Sequence, residues 1–413
     1  MCDKVTFAYA MVTVKMKTKK DLISISDAST LLNVSLDTLR RWEKKGLIKA
    51  YRSDNGHRLF DKEAVENIKN RDSGKKTGKK YAVLKSEKTN YSVVELFAGC
   101  GGLALGMHNA GLECKLLVEL DKNASETLKK NKKHWNVVND DVSKVDYSKI
   151  SADVVAGGFP CQAFSYAGKR MGFEDTRGTL FFEFARAVKE ISPKIVVGEN
   201  VKGLLKHDEG RTLTTMVNVL KELGYKVAYK VLRAQYLDVA QKRERLLIIG
   251  VREDLDINIE FPEEKNYTYS LKDVLEGVKP SDGQKYTSKK LEIMKNIPEG
   301  GYWKDLPDHL QREYMGASYF LGGGKTGMAR RLAWDEPSLT LTCNPAQKQT
   351  ERCHPSETRP LQTREYARIQ SFPDSWEFCG STASVYKQIG NAVPVNLAYH
   401  IGISVINMLK KLG

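Results

Sequence analysis

The chain has 413 residues, of which 41% are hydrophobic, so it is long enough to form more than one domain with a sizeable core. Its formal net charge of +15 and its sequence pI of about 9.2 indicate a polyanionic partner such as nucleic acid. The seven cysteines are odd in number and form no Cys-x-x-Cys pair, and no stretch approaches the length of a membrane span. These features argue against a disulfide framework, a metal site and a membrane protein, and we expect a cytoplasmic chain.

A small helical domain is predicted near the N-terminus, over residues 21–72. A first helix covers residues 25–32, and a second begins with Ser35 as its N-cap and ends at Gly46. Asn55-Gly56 then joins two short extended pieces, which is typical of a hairpin wing. The pattern predicts a winged helix-turn-helix.

This segment resembles the winged helix-turn-helix of MerR-type regulators and excisionases. The resemblance rests on Leu39-Arg40-Arg41-Trp42-Glu43 and on Gly56-His57-Arg58-Leu59-Phe60. In that family the second helix enters the major groove of DNA, and the wing contacts the backbone or the minor groove. The resemblance implies four arginines as DNA contacts: Arg40, Arg41, Arg52 and Arg58. A small helical adaptor that binds protein is the alternative.

Two polar segments flank this domain. Residues 1–20 are interpreted as a leader whose apolar run is too weak for a signal peptide. Residues 73–90 are lysine-rich and contain Gly74 and Gly78 as breakers, so they are predicted to form a flexible linker. Lysines in such a linker attract phosphate without sequence preference.

From residue 91 onward, predicted strands end in groups that bind ligands. Residues 92–97 form a buried strand, and a glycine-rich turn over residues 98–106 runs from it into a helix. The next strand ends in Glu119, at the spacing where nucleotide-binding folds place an acid on ribose hydroxyls. A third strand ends before Asp140-Asp141. These features predict a cofactor at one edge of a parallel sheet and leave NAD and S-adenosylmethionine both open.

A fourth predicted strand, residues 153–156, is followed by Gly157-Gly158-Phe159-Pro160-Cys161-Gln162. Open parallel sheets bind ligands at the carboxyl ends of their strands, so a nucleophile at this point is well placed for chemistry. Cys161 is therefore the first candidate. A free cysteine is commonly a small buried hydrophobe instead, and this stretch alone favours neither interpretation.

Six motifs, taken together and in order, resemble those of the DNA cytosine carbon-5 methyltransferases. They are Phe97-Ala98-Gly99-Cys100-Gly101-Gly102, Gly158-Phe159-Pro160-Cys161-Gln162, Asp175-Thr176-Arg177-Gly178-Thr179-Leu180-Phe181, Glu199-Asn200-Val201, Gln241-Lys242-Arg243-Glu244-Arg245 and Gln388-Ile389-Gly390-Asn391-Ala392-Val393-Pro394. The resemblance covers Ser92 to the C-terminus. It implies an α/β, Rossmann-like methyltransferase fold and S-adenosylmethionine as the cofactor.

The same resemblance implies a set of cofactor-binding residues. Glu119 would hold the ribose, and Asp141, in preference to Asp140, would meet the adenine amino group. The other members of the set are Phe97, Gly99, Gly102, Leu103, Pro160, Leu180 and Asn391.

The resemblance also implies the residues that carry the chemistry. The Cys161 thiolate would add to carbon 6 of cytosine, and Glu199, with a pKa raised by burial, would bond nitrogen 3 and the exocyclic amine. Arg245 would bond the cytosine carbonyl oxygen, and Arg243 would brace the loop or a phosphate. Gln162 and Ser165 would lie toward the DNA backbone. The base that removes the carbon-5 proton is not identified.

These features divide the chain into a catalytic domain (91–254), a smaller target-recognition domain (255–355) and a C-terminal return to the catalytic domain (356–413). We expect a sequence-specific methyltransferase that belongs to a restriction-modification system and flips its target cytosine out of double-stranded DNA. We expect the N-terminal head to bind operator DNA as a transcriptional autoregulator. A cognate restriction endonuclease need not contact the methyltransferase. An RNA (tRNA) cytosine-5 methyltransferase and a DNA-binding regulator with a cofactor-sensing body are the alternatives.

Overall fold

The computed structural model describes residues 22–32, 34, 36–44, 48–53, 55–66, 75–76, 80–160, 180–321 and 325–412. The chain divides into two compact units, Met1–Lys75 and Lys76–Gly413. The catalytic and recognition segments predicted from the sequence therefore belong to one unit, and the boundaries predicted inside it stay predictions.

The first unit contains the predicted helix-turn-helix and its wing. Its elements are β1 (Leu22–Ser24), α1 (Ile25–Leu32), α2 (Leu36–Lys44), β2 (Ala50–Arg52) and β3 (Arg58–Asp61). The strands form an antiparallel sheet in the order β1-β3-β2. Ala28, Leu39, Ile48, Phe60 and Val65 form its core, and Trp42 packs against them. The head therefore has a hydrophobic core of its own.

A seven-stranded sheet organises the second unit. Its strands are β5 (Ser92–Leu96), β6 (Glu113–Val118), β7 (Val137–Val138), β8 (Val154–Gly157), β9 (Ile195–Val201), β10 (Tyr225–Arg233) and β12 (Glu244–Arg252). Among the described residues, four two-residue strands lie outside this sheet: β4 (Lys75–Lys76), β11 (Gln241–Lys242), β13 (Tyr267–Thr268) and β14 (Ser338–Leu339).

The sheet order, β10-β12-β9-β8-β5-β6-β7, identifies where a ligand should bind. Strands β9, β8, β5, β6 and β7 are parallel, and β12 is antiparallel to both of its neighbours. The chain leaves β5 toward β6 and β7 and later returns to the other side of β5 as β8. This reversal is the switch point at which open α/β sheets form a ligand crevice.

Helices pack on both faces of the sheet. The helices described in this unit are α3 (Gly102–Ala110), α4 (Lys122–Asn131), α5 (Leu180–Ile191), α6 (Arg211–Glu222), α7 (Leu271–Leu275), α8 (Ser288–Met294), α9 (Asp308–Met315), α10 (Thr363–Ile369), α11 (Thr382–Asn391) and α12 (Val395–Lys410). Helices α3 and α12 contribute to one core, and α5 and α6 to the other. A Cβ at Gly106 would lie 2.3 Å from the Cβ of Ala398, so α12 packs directly on α3.

The linker prediction is wrong for residues 80–90. The Leu84 amide donates to Asn396 Oδ1 at 3.0 Å, and the Ser86 hydroxyl lies 2.7 Å from that of Tyr399. Tyr81 makes an edge-on ring contact with Tyr269 at 5.1 Å. Apolar side chains interrupt the lysine-rich run here, and they anchor the segment to the catalytic unit.

Only part of the predicted recognition domain, residues 255–355, forms a hydrophobic cluster separate from the catalytic core. Met294, Trp303 and Cys353 belong to a separate hydrophobic cluster. Leu271, near the start of the segment, and Leu341, near its end, pack in the catalytic core instead. Parts of the predicted recognition domain therefore belong to the structure that surrounds the cavity.

One segment among the described residues, Thr382–Lys410, is long and apolar enough to cross a membrane, with a mean hydropathy of 1.4. The expectation that no stretch approaches that length is wrong for this segment. However, 72% of its most apolar window is buried, and residues 392–394 divide it into α11 and α12. Core packing accounts for its apolar composition.

Candidate active site

A cavity of about 450 Å³ opens at the carboxyl ends of β5, β6, β8 and β9. This volume lies within the usual range for small-molecule and cofactor sites. Seven of the nine predicted cofactor residues line it: Phe97, Gly99, Gly102, Leu103, Glu119, Pro160 and Asn391. Glu199, Arg243 and Arg245 line the same cavity. The fold therefore brings the predicted cofactor residues and three of the predicted catalytic residues together.

Two predicted cofactor residues are not among the lining residues. Asp141 caps a short 3-10 turn, and its Oδ1 accepts a hydrogen bond from the Ser143 amide at 2.9 Å. Leu180 begins α5 and packs against the core of that face. Cys161, Gln162 and Ser165 lie outside the described residues, which stop at Pro160 on this side of the cavity. The roles of all these residues stay predictions.

The glycine-rich turn after β5 has a backbone that few side chains tolerate. Phe97 and Gly99 have φ angles of +58° and +55°, in the left-handed region that a non-glycine residue such as Phe97 rarely adopts. A Cβ at Gly102 would lie only 2.1 Å from the carbonyl oxygen of Val393. The first turn of α3 therefore needs glycine to pack against the segment that follows Asn391.

Glu119 connects this turn to the end of β6. Its Oε2 accepts a hydrogen bond from the Gly99 amide, and its Oε1 accepts one from the Asp121 amide, both at 2.7 Å. A carboxylate oxygen accepts more than one hydrogen bond, so both retain capacity for ribose hydroxyl donors. Burial raises the pKa of Glu119, and these two amide bonds oppose the shift.

Glu199 and Arg245 form a nearly buried ion pair inside the cavity. Arg245 Nε lies 2.8 Å from Glu199 Oε1, with side chains only 14% and 11% exposed. Strand β9 continues through Glu199 to Val201, so Glu199 lies within the strand. Burial raises the pKa of Glu199 while the charge of Arg245 opposes the shift, and the predicted direction is confirmed.

The pair is arranged so that one carboxyl oxygen remains for a substrate. Oε1 is held by Arg245, and a Cβ at Gly158 would lie 3.2 Å from Oε2. Glycine at this position therefore leaves the space beside Oε2 open. A carboxyl group with a raised pKa can donate a proton to an amidine-like ring edge or share one with it.

Asn200 positions the chain immediately before Cys161, a role that the sequence did not reveal. Its side chain is buried, and Nδ2 donates to the carbonyl oxygen of Phe159 at 2.9 Å. The bond connects the end of β9 to the loop that follows β8. The bond therefore holds the backbone at Phe159, two residues before Cys161 in the sequence.

Arg243 holds three main-chain carbonyl groups. Nη1 donates to Leu341 at 3.2 Å, and Nη2 donates to Gly390 and Ala392 at 3.0 and 3.1 Å. The residue is 1% exposed, and burial lowers the pKa of its guanidinium. Of its two predicted roles, bracing the loop agrees with these contacts. It fastens the segment around Leu341 to the residues that flank Asn391.

Comparisons with known proteins agree with this geometry. The sequence profile of C-5 cytosine-specific DNA methylases matches residues 91–407. The chain belongs to this family. The profile of MerR family regulatory proteins matches residues 24–60 of the methylase. The predicted Rossmann-like fold, DNA cytosine carbon-5 methyltransferase activity and MerR-like head are confirmed, and the family uses S-adenosylmethionine in general.

Individual relatives match nearly the whole methylase. Type II methyltransferase M.Eco47II from Escherichia coli is 54% identical over 407 residues, which cover 95% of this chain and 97% of the relative. Type II methyltransferase M.PspPI from Psychrobacter sp. is 50% identical over 408 residues, with 95% and 98% covered. The crystal structure of the S. pombe Dnmt2 methyltransferase aligns with a TM-score of 0.55 at 15% identity, covering 78% of this chain and 99% of that one. At that identity, the structural match supports the fold alone.

In the head of the methylase, three of the four arginines predicted to contact DNA form ion pairs with acidic residues of the same domain. Arg58 Nε lies 2.6 Å from Glu43, and Arg52 reaches the same carboxylate at 3.3 Å. Arg40 pairs with Asp37 at 3.1 Å on an exposed face. The Arg41 side chain lies outside the described part of the structure. The Glu43 contacts orient the two wing arginines, and all four DNA roles stay predictions.

Sequence reasoning missed Glu95 as a cavity residue. It lies in β5, is 1% exposed and lines the cavity beside Glu119 and Glu199. The available signal was a carboxylate within the apolar run Val93-Val94-Glu95-Leu96. Charged side chains are almost never fully buried without a partner, so such an exception marks a candidate site once a cavity is found beside it.

Proposed function

We propose that this methylase modifies one cytosine of a short duplex sequence as part of a restriction-modification system. A covalent adduct with Cys161 would be the central intermediate. The observation that carries the proposal is the Glu199–Arg245 pair, which lies in a cofactor-sized cavity next to the chain that leads into Cys161. The names of the two relatives, both Type II methyltransferases, support the restriction-modification context.

The proposed chemistry begins at the flipped cytosine. The Cys161 thiolate forms a bond to carbon 6, and the ring gains electron density that carbon 5 needs to act as a nucleophile. Glu199 supplies or shares a proton at nitrogen 3, where negative charge would otherwise accumulate. Arg245, which Glu199 holds at 2.8 Å, would bond the cytosine carbonyl oxygen. After methylation carbon 5 loses its proton to a base, and the bond from sulfur to carbon 6 breaks.

The residues of the cavity fit S-adenosylmethionine, which supplies the methyl group when bound. A Cβ at Gly99 would meet no atom within 4 Å, so a ligand has room to approach this backbone closely. Glu119 and Asn391 would hold the nucleoside, and Phe97 and Leu103 would cover its apolar faces. Asp141 would meet the adenine amino group, and Leu180 would complete the pocket.

A second proposal concerns the head. Because a methylase already has its own recognition segment, a separate DNA-binding unit suggests a second target. We assign to the head an operator close to the methylase gene, with repression of that transcription unit as the result. The self-contained core of the head supports independent docking, as does its match to MerR regulators. The protein would act in the cytoplasm.

Bisulfite sequencing tests the enzymatic proposal. Plasmid DNA from cells that express the wild-type chain should contain one new methylated motif, and DNA from cells with Cys161→Ala should contain none. Total tRNA from the same cells is the matched arm for the RNA alternative. Methylation confined to tRNA, or DNA binding without any methylation, would remove the proposed function in favour of one of the two alternatives.

Footprinting tests the proposal for the head. The full chain with Cys161→Ala should protect a site upstream of its gene, and Arg40→Ala combined with Arg41→Ala should abolish that protection. The same double substitution in the active enzyme should leave plasmid methylation intact. A chain that protects no upstream site at low salt does not have this regulatory role.

A further inference from the structure

The side chain of Asn391 has one hydrogen-bond partner among the described residues, and that partner is a cysteine. Its Oδ1 lies 3.0 Å from the Cys343 sulfur. The asparagine lines the cavity and is exposed. A side-chain amide carries an acceptor on one side and donors on the other, and rotation by half a turn exchanges them. The thiol therefore determines which end of this amide is left for a ligand.

The backbone on both sides of this bond is held by one cation. Arg243 donates to the carbonyl group of Leu341, two positions before the cysteine, and to the carbonyl groups on either side of Asn391. A Cβ at Gly390 would lie 2.8 Å from the amide nitrogen of Cys343, so the two segments are in direct contact. The thiol and the amide are thereby presented to each other by an ordered backbone, and forming their bond costs little additional conformational entropy.

The thiol has the protonation state that this bond requires. Burial raises the pKa of Cys343, while the positive charges of Arg243 and Lys387 oppose the shift. The sulfur therefore keeps its proton at neutral pH and donates it to Oδ1 as a weak S–H donor. The carbonyl oxygen of Lys387 is a second acceptor near the sulfur, at 4.0 Å. The shorter distance favours Asn391 as the acceptor.

Cys343 is not itself among the described residues that line the cavity. It lies between Leu341, which packs in the catalytic core, and Cys353, which belongs to the hydrophobic cluster of the recognition segment. An effect of this side chain on a bound cofactor must therefore pass through a residue that does line the cavity. Asn391 is the lining residue whose side chain it bonds.

We propose that Cys343 is a positioning residue for the cofactor. Its thiol holds Oδ1 of Asn391, so that Nδ2 is presented to the cavity and donates to an acceptor atom of S-adenosylmethionine. The inference rests on the proposed cofactor role of Asn391. Without the thiol, the amide also adopts the rotated orientation, which presents an acceptor where the ligand needs a donor. The bond then has to be gained from a mixed population.

Titration calorimetry with S-adenosylmethionine measures the effect on the full chain. Cys343→Ala removes the donor and should weaken binding about 3- to 10-fold, the size expected for one ordinary hydrogen bond. Cys343→Ser restores a donor at the same position and should bind within about twofold of wild type. Cys379→Ala is the matched control, because the half-buried Cys379 thiol makes no hydrogen bond with a described residue. Its affinity should equal that of wild type.

A double-mutant cycle tests whether Cys343 acts through Asn391. The affinities of Cys343→Ala, Asn391→Ala and the double variant are compared with that of wild type. Once Asn391 is alanine, the thiol has no amide to orient, so adding Cys343→Ala should weaken binding no further. Effects that multiply instead would show that the cysteine acts independently of Asn391, and would overturn the proposal.

Steady-state kinetics separates positioning from the chemical step. With duplex DNA that contains the methylated motif, Cys343→Ala should raise KM for S-adenosylmethionine by about the factor found in calorimetry and leave kcat within about twofold. Thermal melting checks that each variant is folded. A fall in kcat with unchanged KM would contradict a role in holding the cofactor.

The outcomes distinguish this inference from the proposed function. If wild-type enzyme fails to bind S-adenosylmethionine, the cofactor assignment itself is wrong. If wild type binds it and Asn391→Ala binds equally well, the cofactor assignment remains and the inference is refuted, because the amide has no role to support. If Asn391→Ala binds weakly and folded Cys343→Ala binds like wild type, the role of Asn391 remains and that of Cys343 is refuted.

Discussion

Replacing Arg243 with methionine tests whether this residue braces the cavity. Methionine fills a similar volume but cannot donate to the carbonyl groups of Leu341, Gly390 and Ala392, which the guanidinium bonds at 3.0 to 3.2 Å. Hydrogen bonds from a charged donor contribute about 1.5–3 kcal/mol each. The substitution also removes the cost of burying a charge. We therefore expect a net loss of about 3 kcal/mol in the free energy of unfolding, which is less than the sum of three bonds.

At about 2.1 cal/mol/K per residue, the unit Lys76–Gly413 has an unfolding entropy of about 0.7 kcal/mol/K, so a loss of about 3 kcal/mol should lower Tm by about 4 °C. The bonded carbonyls flank Asn391, and the affinity for S-adenosylmethionine should also fall at least about tenfold, as expected for a misplaced binding group. Differential scanning calorimetry and titration calorimetry measure the two effects. A loss of thermal stability without weaker cofactor binding would limit Arg243 to a general role in stability.

The neighbouring Lys242→Met variant is the matched control. Lys242 pairs with Glu336 at 2.7 Å on the surface, and exposed pairs contribute about 0–1 kcal/mol, so its Tm should change little. The reasoning is refuted if Arg243→Met melts within about 2 °C of wild type and binds the cofactor equally well.

Three further substitutions follow from the same geometry. Gly102→Ala would place a Cβ 2.1 Å from a main-chain oxygen and should cost about 1–3 kcal/mol, whereas Gly203→Ala, whose nearest neighbour would be 3.8 Å away, should melt like wild type. Asn200→Leu removes the bond that fixes the chain before the nucleophile, so single-turnover methylation should slow about 10- to 100-fold while cofactor affinity, measured by calorimetry, remains unchanged. Burial alone would raise the pKa of Asp238, but hydrogen bonds from the side chains of His400, Lys265 and Tyr267 lower it to about 2. Its contribution is therefore present above about pH 4 and is lost as pH falls toward 2. In urea unfolding, Asp238→Asn should be about 2 kcal/mol less stable at pH 7, with a difference that shrinks below pH 4.

The parts of the fold that the sequence predicted are those with a local signal. Apolar runs gave the central strands, and the glycines of the turn after β5 have left-handed backbone angles that favour this residue. The extension of β9 through Glu199 and Asn200 was not predicted, because polar residues of these types are depleted in strands. It is stabilised by pairing with β12, where Leu247 is in register with Glu199.

Contacts between distant parts of the chain could not be predicted from local patterns. Arg243 bonds carbonyls that lie 98 to 149 positions away, and no spacing rule connects them. The same limit applies to residues 80–90, because their polar composition indicates a linker and gives no sign of the contacts that Leu84 and Ser86 make with Asn396 and Tyr399. It also explains Glu95, because its importance depends on a cavity that the topology of the whole sheet creates.

The head shows a different limit. Its pattern identified the wing and the arginines on it, yet both wing arginines contact Glu43. The sequence resemblance predicts DNA as the partner of these arginines, but it does not predict that the Glu43 carboxylate of the same domain orients them.

The most direct test of the account is a covalent trap at Cys161. A duplex is prepared with 5-fluorocytosine in place of the cytosine that bisulfite sequencing identifies. Fluorine at carbon 5 cannot be removed as a proton is, so the bond between the cysteine sulfur and carbon 6 should persist after methylation. Mass spectrometry of the denatured mixture should show one DNA strand attached to the peptide that contains Cys161, and Cys161→Ala should give no adduct. An adduct that persists in Cys161→Ala, or methylation by wild type that never traps, would contradict the central claim.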